Sequence, residues 1–190
     1  MYISSDAVYS DSKNLLTETS ETNPTSLHGI MHLVREQMIK NVFVDNYLIL
    51  RPTLIYGFSD PHNGYGPNLF VRKSKTEKQI NLFGNGEELR DHIDVRLVSE
   101  LIQKIVFNER NGVFNLVSGN LISFREIANI IKDIFWKKKI EVNIFSIPRN
   151  GPMPHGGYRG FDNSKLRPYI VDKNLLDLKK NINYYIQQLD

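Results

Sequence analysis

Short apolar runs separated by segments of helical period constrain this chain most. Tyr47-Leu48-Ile49-Leu50, Ile80-Asn81-Leu82-Phe83, residues 113–117 and residues 140–145 have strand length, and the first reads as a buried strand. Tyr2-Ile3-Ser4-Ser5 reads as the end of another. Between them, Leu27, Ile30, Met31, Val34 and Met38 recur at helical spacing and predict a helix over 26–40, with Ser26 as its cap. Further helices are predicted over 68–75, over 95–107 behind Asp94, and over 173–189. Ser123-Phe124-Arg125-Glu126 matches a capping box and opens one more, to about residue 135. Such alternation predicts an α/β fold with mostly parallel strands. Residues 10–23 are polar and read as a surface loop, whereas 52–67 and 148–160 are rich in Gly and Pro, the composition of loops that carry function.

Composition removes several function classes. Twenty-four Lys and Arg against 21 Asp and Glu leave a net charge of +3 over 190 residues, too mild for a nucleic-acid or membrane signal. The chain has no cysteine, which excludes disulfides, thiolate nucleophiles and cysteine-ligated metals and fits a reducing compartment. No apolar run approaches the ~18 residues of a membrane span, and the N-terminus lacks the layout of a signal peptide. The expectation is a cytoplasmic protein with no nucleic-acid or membrane partner. Lys137-Lys138-Lys139 follows a predicted helix end, where cations complement the helix dipole, and reads as a solvated terminus.

A series of motifs then stands in a telling order. They are Tyr2-Ile3-Ser4-Ser5-Asp6-Ala7-Val8-Tyr9, Pro24-Thr25-Ser26-Leu27-His28-Gly29, Leu50-Arg51-Pro52-Thr53-Leu54-Ile55-Tyr56-Gly57 and Gly66-Pro67-Asn68-Leu69-Phe70. Gly84-Asn85-Gly86 with Arg90-Asp91-His92-Ile93-Asp94-Val95 follows, then Phe114-Asn115-Leu116 with Ser123 to Ile127, and Phe161-Asp162-Asn163-Ser164-Lys165-Leu166. Each alone is weak. Together, in this order, they resemble the extended short-chain dehydrogenases/reductases, the NAD-dependent nucleotide-sugar epimerase/dehydratase family.

The resemblance implies an incomplete Rossmann-type parallel sheet plus a small α/β substrate-binding lobe. Residues 1–60 would be the remainder of the dinucleotide-binding domain with the catalytic helix. Residues 61–190 would be mainly the substrate lobe, with segments around 80–117 crossing back to the sheet. It also implies NAD or NADP as cofactor and a nucleotide-sugar substrate. Ser5 and His28 take the catalytic positions, and His32 takes a position both catalytic and cofactor-binding, joined by Pro52 and Thr53 on the cofactor side. Asp6, Leu54, Asn68, Phe83, Arg90, Arg149 and Arg159 fall at substrate positions, the arginines because guanidinium forks match phosphate oxygens.

Two departures stand out. The Gly-rich loop that seats the dinucleotide pyrophosphate on a helix N-terminus matches no stretch of these residues, so the chain resembles the C-terminal part of such an enzyme. The missing first half would amount to about two βαβ units of ~30 residues each. The family's Tyr-x-x-x-Lys reads here His28-Gly29-Ile30-Met31-His32. The i, i+4 spacing keeps both side chains on one helix face. An imidazole at 28 is a base near neutral pH, but one at 32 is no reliable positive charge.

Blander readings stand beside these. Ser5 is also a strand-end serine satisfied by backbone, the two histidines polar helix residues, and Phe83 core. Tyr9 and Lys13 repeat the Tyr-x-x-x-Lys spacing in a loop, and Glu36 lies one turn beyond His32 as a third ligand for a metal that nothing else calls for. The expected function is hydride transfer at a sugar carbon with His28 and Ser5 handling the proton; the alternative is a non-catalytic sugar-nucleotide-binding or partner-binding remnant. A homodimer, or pairing with an N-terminal half, is the expected assembly. A parallel sheet stripped of its first strands should also aggregate when alone.

Overall fold

The computed structural model describes residues 1–58, 60 and 66–189. Its strands are β1 (Tyr2–Ile3), β2 (Leu48–Pro52), β3 (Leu54–Tyr56), β4 (Gln79–Phe83), β5 (Leu89–Asp94), β6 (Gly112–Leu116), β7 (Leu121–Ser123), β8 (Asn143–Ile147) and β9 (Tyr158–Arg159). Its helices are α1 (Leu27–Val42), α2 (Gly66–Thr76), α3 (Val95–Asn108), α4 (Phe124–Lys137) and α5 (Leu178–Gln188). No helix among them is long and apolar enough to cross a membrane.

Three sheets result. β1, β2 and β6 lie in that order, all parallel, with Ile3 opposite Leu50 and Leu50 opposite Phe114. β5 is shared: its C-terminal half pairs parallel with β3, and its N-terminal half runs between antiparallel β7 and parallel β9. β4 and β8 form a parallel pair. The chain is thus α/β with mostly parallel strands, and β5–β7 is the antiparallel exception among the described pairings.

Two apolar cores sit under this frame. One gathers Leu50, Leu97, Leu101, Phe114, Leu116 and Phe161 around the first sheet. The other gathers Phe70, Ile80, Leu82, Ile127, Ile131 and Ile182. Capping follows the sequence: Ser26 accepts from Gly29 N, Asp94 from Arg96 N, and Ser123 and Glu126 form the reciprocal capping box.

Several expectations need correction. The segment 52–67 is not loop throughout, because Leu54–Tyr56 pairs with β5; its Pro61 and Asn63-Gly64 turn signals lie outside the described residues. β5 carries no apolar alternation, since Arg90, Asp91, His92 and Asp94 are buried in it. The strand expected at 140–145 begins at Asn143, after a turn in which Lys139 takes a positive φ of 62°. The loop 148–160 contains a 3-10 turn and β9. The helix expected from 173 is a 3-10 turn, Lys173–Leu176, followed by α5, which Asp177 caps by accepting from Lys180 N.

The apolar stripe of α1 faces outward. Leu27, Ile30, Met31, Val34, Met38 and Val42 are exposed, whereas Gly29 and Glu36 are the helix's buried residues.

Candidate functional site

The site begins where β1 ends. Ser5 caps the 3-10 turn Asp6–Val8, its hydroxyl accepting from Ala7 N at 3.1 Å. α1 packs against this turn because residue 29 is glycine. A Cβ there would stand 2.2 Å from the Ala7 carbonyl oxygen and 2.6 Å from Pro24 Cβ. That close approach puts His28 Nε2 3.3 Å from Ser5 Oγ. One turn on, His32 Nδ1 shares a 2.8 Å hydrogen bond with the Tyr2 hydroxyl, and the two imidazoles meet edge to face, centroids 4.6 Å apart. Desolvation first, then the neighbouring His28 and Arg35, push the His32 pKa down, so this imidazole stays neutral near pH 7.

Glu36 turns away from the histidines into a buried polar network. It accepts from Ser4 Oγ at 2.6 Å and from Arg51 Nε and Nη2 at 2.9 and 2.6 Å. Arg51 Nη1 donates to the Tyr9 hydroxyl at 2.8 Å, and that hydroxyl donates to Asn115 Oδ1 at 2.5 Å. Burial alone would raise the Glu36 pKa; hydrogen bonds from Arg51 and Ser4 outweigh it and hold the carboxyl below the usual range. The network ties α1 to β1, β2 and β6, and it commits Glu36 to structure rather than to a metal. Among the described residues no group of three or more His, Asp or Glu side chains is placed to hold a metal ion.

Two cavities adjoin across the end of this sheet. The first, about 590 Å³, is lined by Ser5, His28, His32, Pro52, Asn68 and His92, among others. The second, about 440 Å³, is lined by Phe83, Glu88, Arg90, Arg149, Pro154 and His155, among others. Asp6, Thr53 and Leu54 line both and form the shared wall. Arg149 stands over the exposed Phe83 ring, 5.8 Å from its centroid. Glu88 bridges the two arginines: Arg90 Nε and Nη2 donate to one carboxylate oxygen, the former at 2.7 Å, and Arg149 Nη2 donates to the other at 3.1 Å.

Two residues expected at substrate positions do not line the second cavity. Arg159 is 1% exposed and lines neither cavity; it donates to the backbone carbonyls of Asp6, Tyr9 and Ser10, and its Nε lies 3.6 Å from Asp6 Oδ2. Asn68 lies in the first cavity rather than beside the arginines, accepting from Gly57 N at 3.1 Å and donating to Asp60.

Sequence reasoning missed three residues of the site. Glu88 sits two positions before Arg90, immediately ahead of β5, and the two-residue period of an extended chain was the signal that they share a face. Tyr2 sits against His32 through strand–helix packing that no local pattern announces. His92 lines the first cavity, 3% exposed, and burial pushes its pKa down to about 3.

Comparison with known proteins fits this geometry. The profile of the NAD dependent epimerase/dehydratase family matches residues 1–116. An ADP-L-glycero-D-manno-heptose-6-epimerase of Brachyspira hyodysenteriae is 24% identical over 200 residues, covering 100% of this chain and 62% of that relative. The UDP-glucuronic acid 4-epimerase of Bacillus cereus, solved with UDP-glucuronic acid and NAD, superposes with a TM-score of 0.80 at 20% identity, covering 99% of this chain and 61% of that one. The Helicobacter pylori ADP-L-glycero-D-manno-heptose-6-epimerase gives 0.81 at 19% identity, with 99% and 59% covered. The chain belongs to the NAD-dependent epimerase/dehydratase family. It spans about three fifths of the length of the curated relatives it matches.

The donor set discriminates between the parts of a dinucleotide. Among the described residues, no Lys or Arg lines the first cavity, which has two serines, a threonine, three imidazoles and the carboxylates of Asp6 and Asp60 in its lining. That chemistry fits a nicotinamide ring and its ribose. It does not fit a pyrophosphate, which needs backbone amides at a helix N-terminus or guanidinium forks.

Proposed function

We propose that this chain forms the substrate-facing part of an NAD(P)-dependent oxidoreductase of the nucleotide-sugar epimerase/dehydratase type. The observation that carries the reading is the shared wall. A cavity with a hydroxyl–imidazole pair and a cavity with two arginines and an exposed aromatic ring meet at Asp6, Thr53 and Leu54. A nucleotide sugar has this layout, with its base over Phe83, its diphosphate at Arg90 and Arg149, and its sugar crossing the wall toward Ser5.

NAD or NADP, when bound, supplies the hydride acceptor. His32, Pro52 and Thr53 would hold its nicotinamide–ribose end. Ser5 Oγ holds the reacting sugar hydroxyl by hydrogen bond, and His28 Nε2 takes its proton as general base. Asn68 keeps the mouth of the first cavity in place through Gly57 and Asp60. Arg159 acts through Asp6, fixing the loop that carries it.

One observation favours a second reading, a sugar-nucleotide-binding module without turnover. His32 is held neutral, and no cation among the described residues lines the first cavity to favour an ionised base.

Incubation of the chain with NAD and UDP- or ADP-linked sugars, read by absorbance of the reduced cofactor and by the configuration of the sugar product, separates the two. The hydride-transfer reading expects reduced cofactor or an altered sugar, formed at least ~100-fold more slowly in His28→Ala, while nucleotide-sugar binding persists. Binding of both NAD and nucleotide sugar with neither product in the native chain overturns it in favour of the binding module.

A further inference from the structure

The second cavity has an uncommon charge balance. Both side-chain oxygens of Glu88 are occupied by the two guanidiniums that face the cleft, and Glu88 and Arg90 are buried. Asp6, the other carboxylate on this wall, is compensated by Arg159 behind it. Glu87 is turned onto the backbone amide of Asn85 at 2.8 Å. The Glu88–Arg90–Arg149 group therefore presents one net positive charge, not two. It also spends on an internal carboxylate the N–H groups that a terminal phosphate would take.

We propose that Glu88 is a specificity-determining residue that favours a diphosphate diester over a free nucleoside diphosphate. The inference rests on the nucleotide-sugar reading of this cavity. A diester carries two negative charges. A free nucleoside diphosphate carries close to three near pH 7, because its terminal phosphate ionises twice. Two charges a few ångströms apart near a protein surface interact strongly enough to shift an equilibrium by tenfold or more. A carboxylate fixed between the arginines therefore penalises the extra charge of the free diphosphate, while a sugar or any other esterifying group removes that penalty. The site would thereby resist occupation by the nucleoside diphosphate that glycosyl-transfer chemistry releases.

The test compares ligands that differ by that one charge: uridine and adenosine 5′-diphosphates, each against its β-methyl ester, titrated calorimetrically at pH 7.5 into the native chain and into Glu88→Gln. The native chain is expected to bind the methyl ester at least as tightly as the free diphosphate. Glu88→Gln, which keeps the side-chain shape, is expected to shift the ratio about tenfold toward the free diphosphate. It should also steepen the salt dependence of free-diphosphate binding. Native preference for the free diphosphate overturns the proposal without recourse to the variant, and so does an unchanged ratio in a folded Glu88→Gln. Either result leaves the nucleotide-sugar reading standing, whereas no binding of any of these ligands overturns both.

Discussion

Gly29 decides whether His28 meets Ser5, and Arg51 decides whether α1 stays anchored to the sheet through Glu36. With a methyl group at 29, α1 must retreat from the Ala7 carbonyl, which a Cβ would approach to 2.2 Å. Gly29→Ala is therefore expected to cost about 1–3 kcal/mol of stability and to break the His28–Ser5 hydrogen bond. Urea unfolding together with the His28 imidazole resonances would read both, and an unperturbed His28 signal would contradict the packing argument. Arg51 donates two hydrogen bonds to Glu36, and removing it leaves the buried carboxylate with the Ser4 hydroxyl and a Lys40 ammonium 3.9 Å away. Arg51→Met is expected to cost about 3–5 kcal/mol, the loss typical of breaking one side of a buried pair. An unfolding midpoint close to the native one would show that Glu36 is not held as described. His28, His32 and Ser5 were legible through the family resemblance, which marks their positions, while helical spacing adds only that the two histidines share a face. Arg51 and Glu36 were opaque, because their pairing joins a strand to a helix 15 positions apart through the interior.

The strand β5 shows why elements rich in buried charge escape a periodicity reading. Three of its buried polar residues, Arg90, Asp91 and Asp94, are inside because each meets a partner, whereas the ring nitrogens of His92 make no hydrogen bond among the described residues. Asp91 accepts from Ser118 N and Oγ and from Gly119 N at 2.7–2.9 Å, and Asp94 pairs with Arg96. Helices α3 and α4, by contrast, were legible from their caps and from apolar faces that do enter the cores. β5 also gives the protein a predictable pH response. Burial pushes His92 down to about 3, so the unfolded chain, with an ordinary histidine, binds a proton that the native state refuses between about pH 6.5 and 3. Stability from this residue is complete above pH 6.5 and is lost on acidification, at most roughly 1.4 kcal/mol per pH unit. Asp91, pushed up to about 6 chiefly by burial, works in the opposite sense: its contribution is present at low pH and lost as pH rises toward 6. The two oppose each other, so the informative quantity is the difference between native chain and His92→Phe. The variant's melting temperature is expected to gain on the native value progressively from pH 6.5 to 4. A constant gap would mean that His92 titrates alike in both states.

At the scale of the whole molecule, an apolar stripe that sequence periodicity identified as helical lies on the outside. Val34 is 53% and Met38 62% exposed, with Leu27 and Val42 beyond them on α1. Such a patch marks an association surface or an aggregation liability, and the two-residue strand β1 at the end of its sheet pairs only with β2 among the described residues. The isolated chain is expected to self-associate in light-scattering chromatography, and Val34→Glu with Met38→Glu to shift it toward monomer. A monodisperse native monomer would contradict this. The fold class was legible because strand and helix alternate, but the outward turn of α1 was not: helical spacing gives a face without saying what the face meets. The account as a whole stands on the two cavities forming one trough. Titration of ¹⁵N-labelled chain with a UDP- or ADP-linked sugar tests that directly. Simultaneous shifts at Phe83 and Arg90 on one side and at Ser5, Thr53 and Leu54 on the other are the predicted result, and shifts confined to a single cavity, or none, would contradict it.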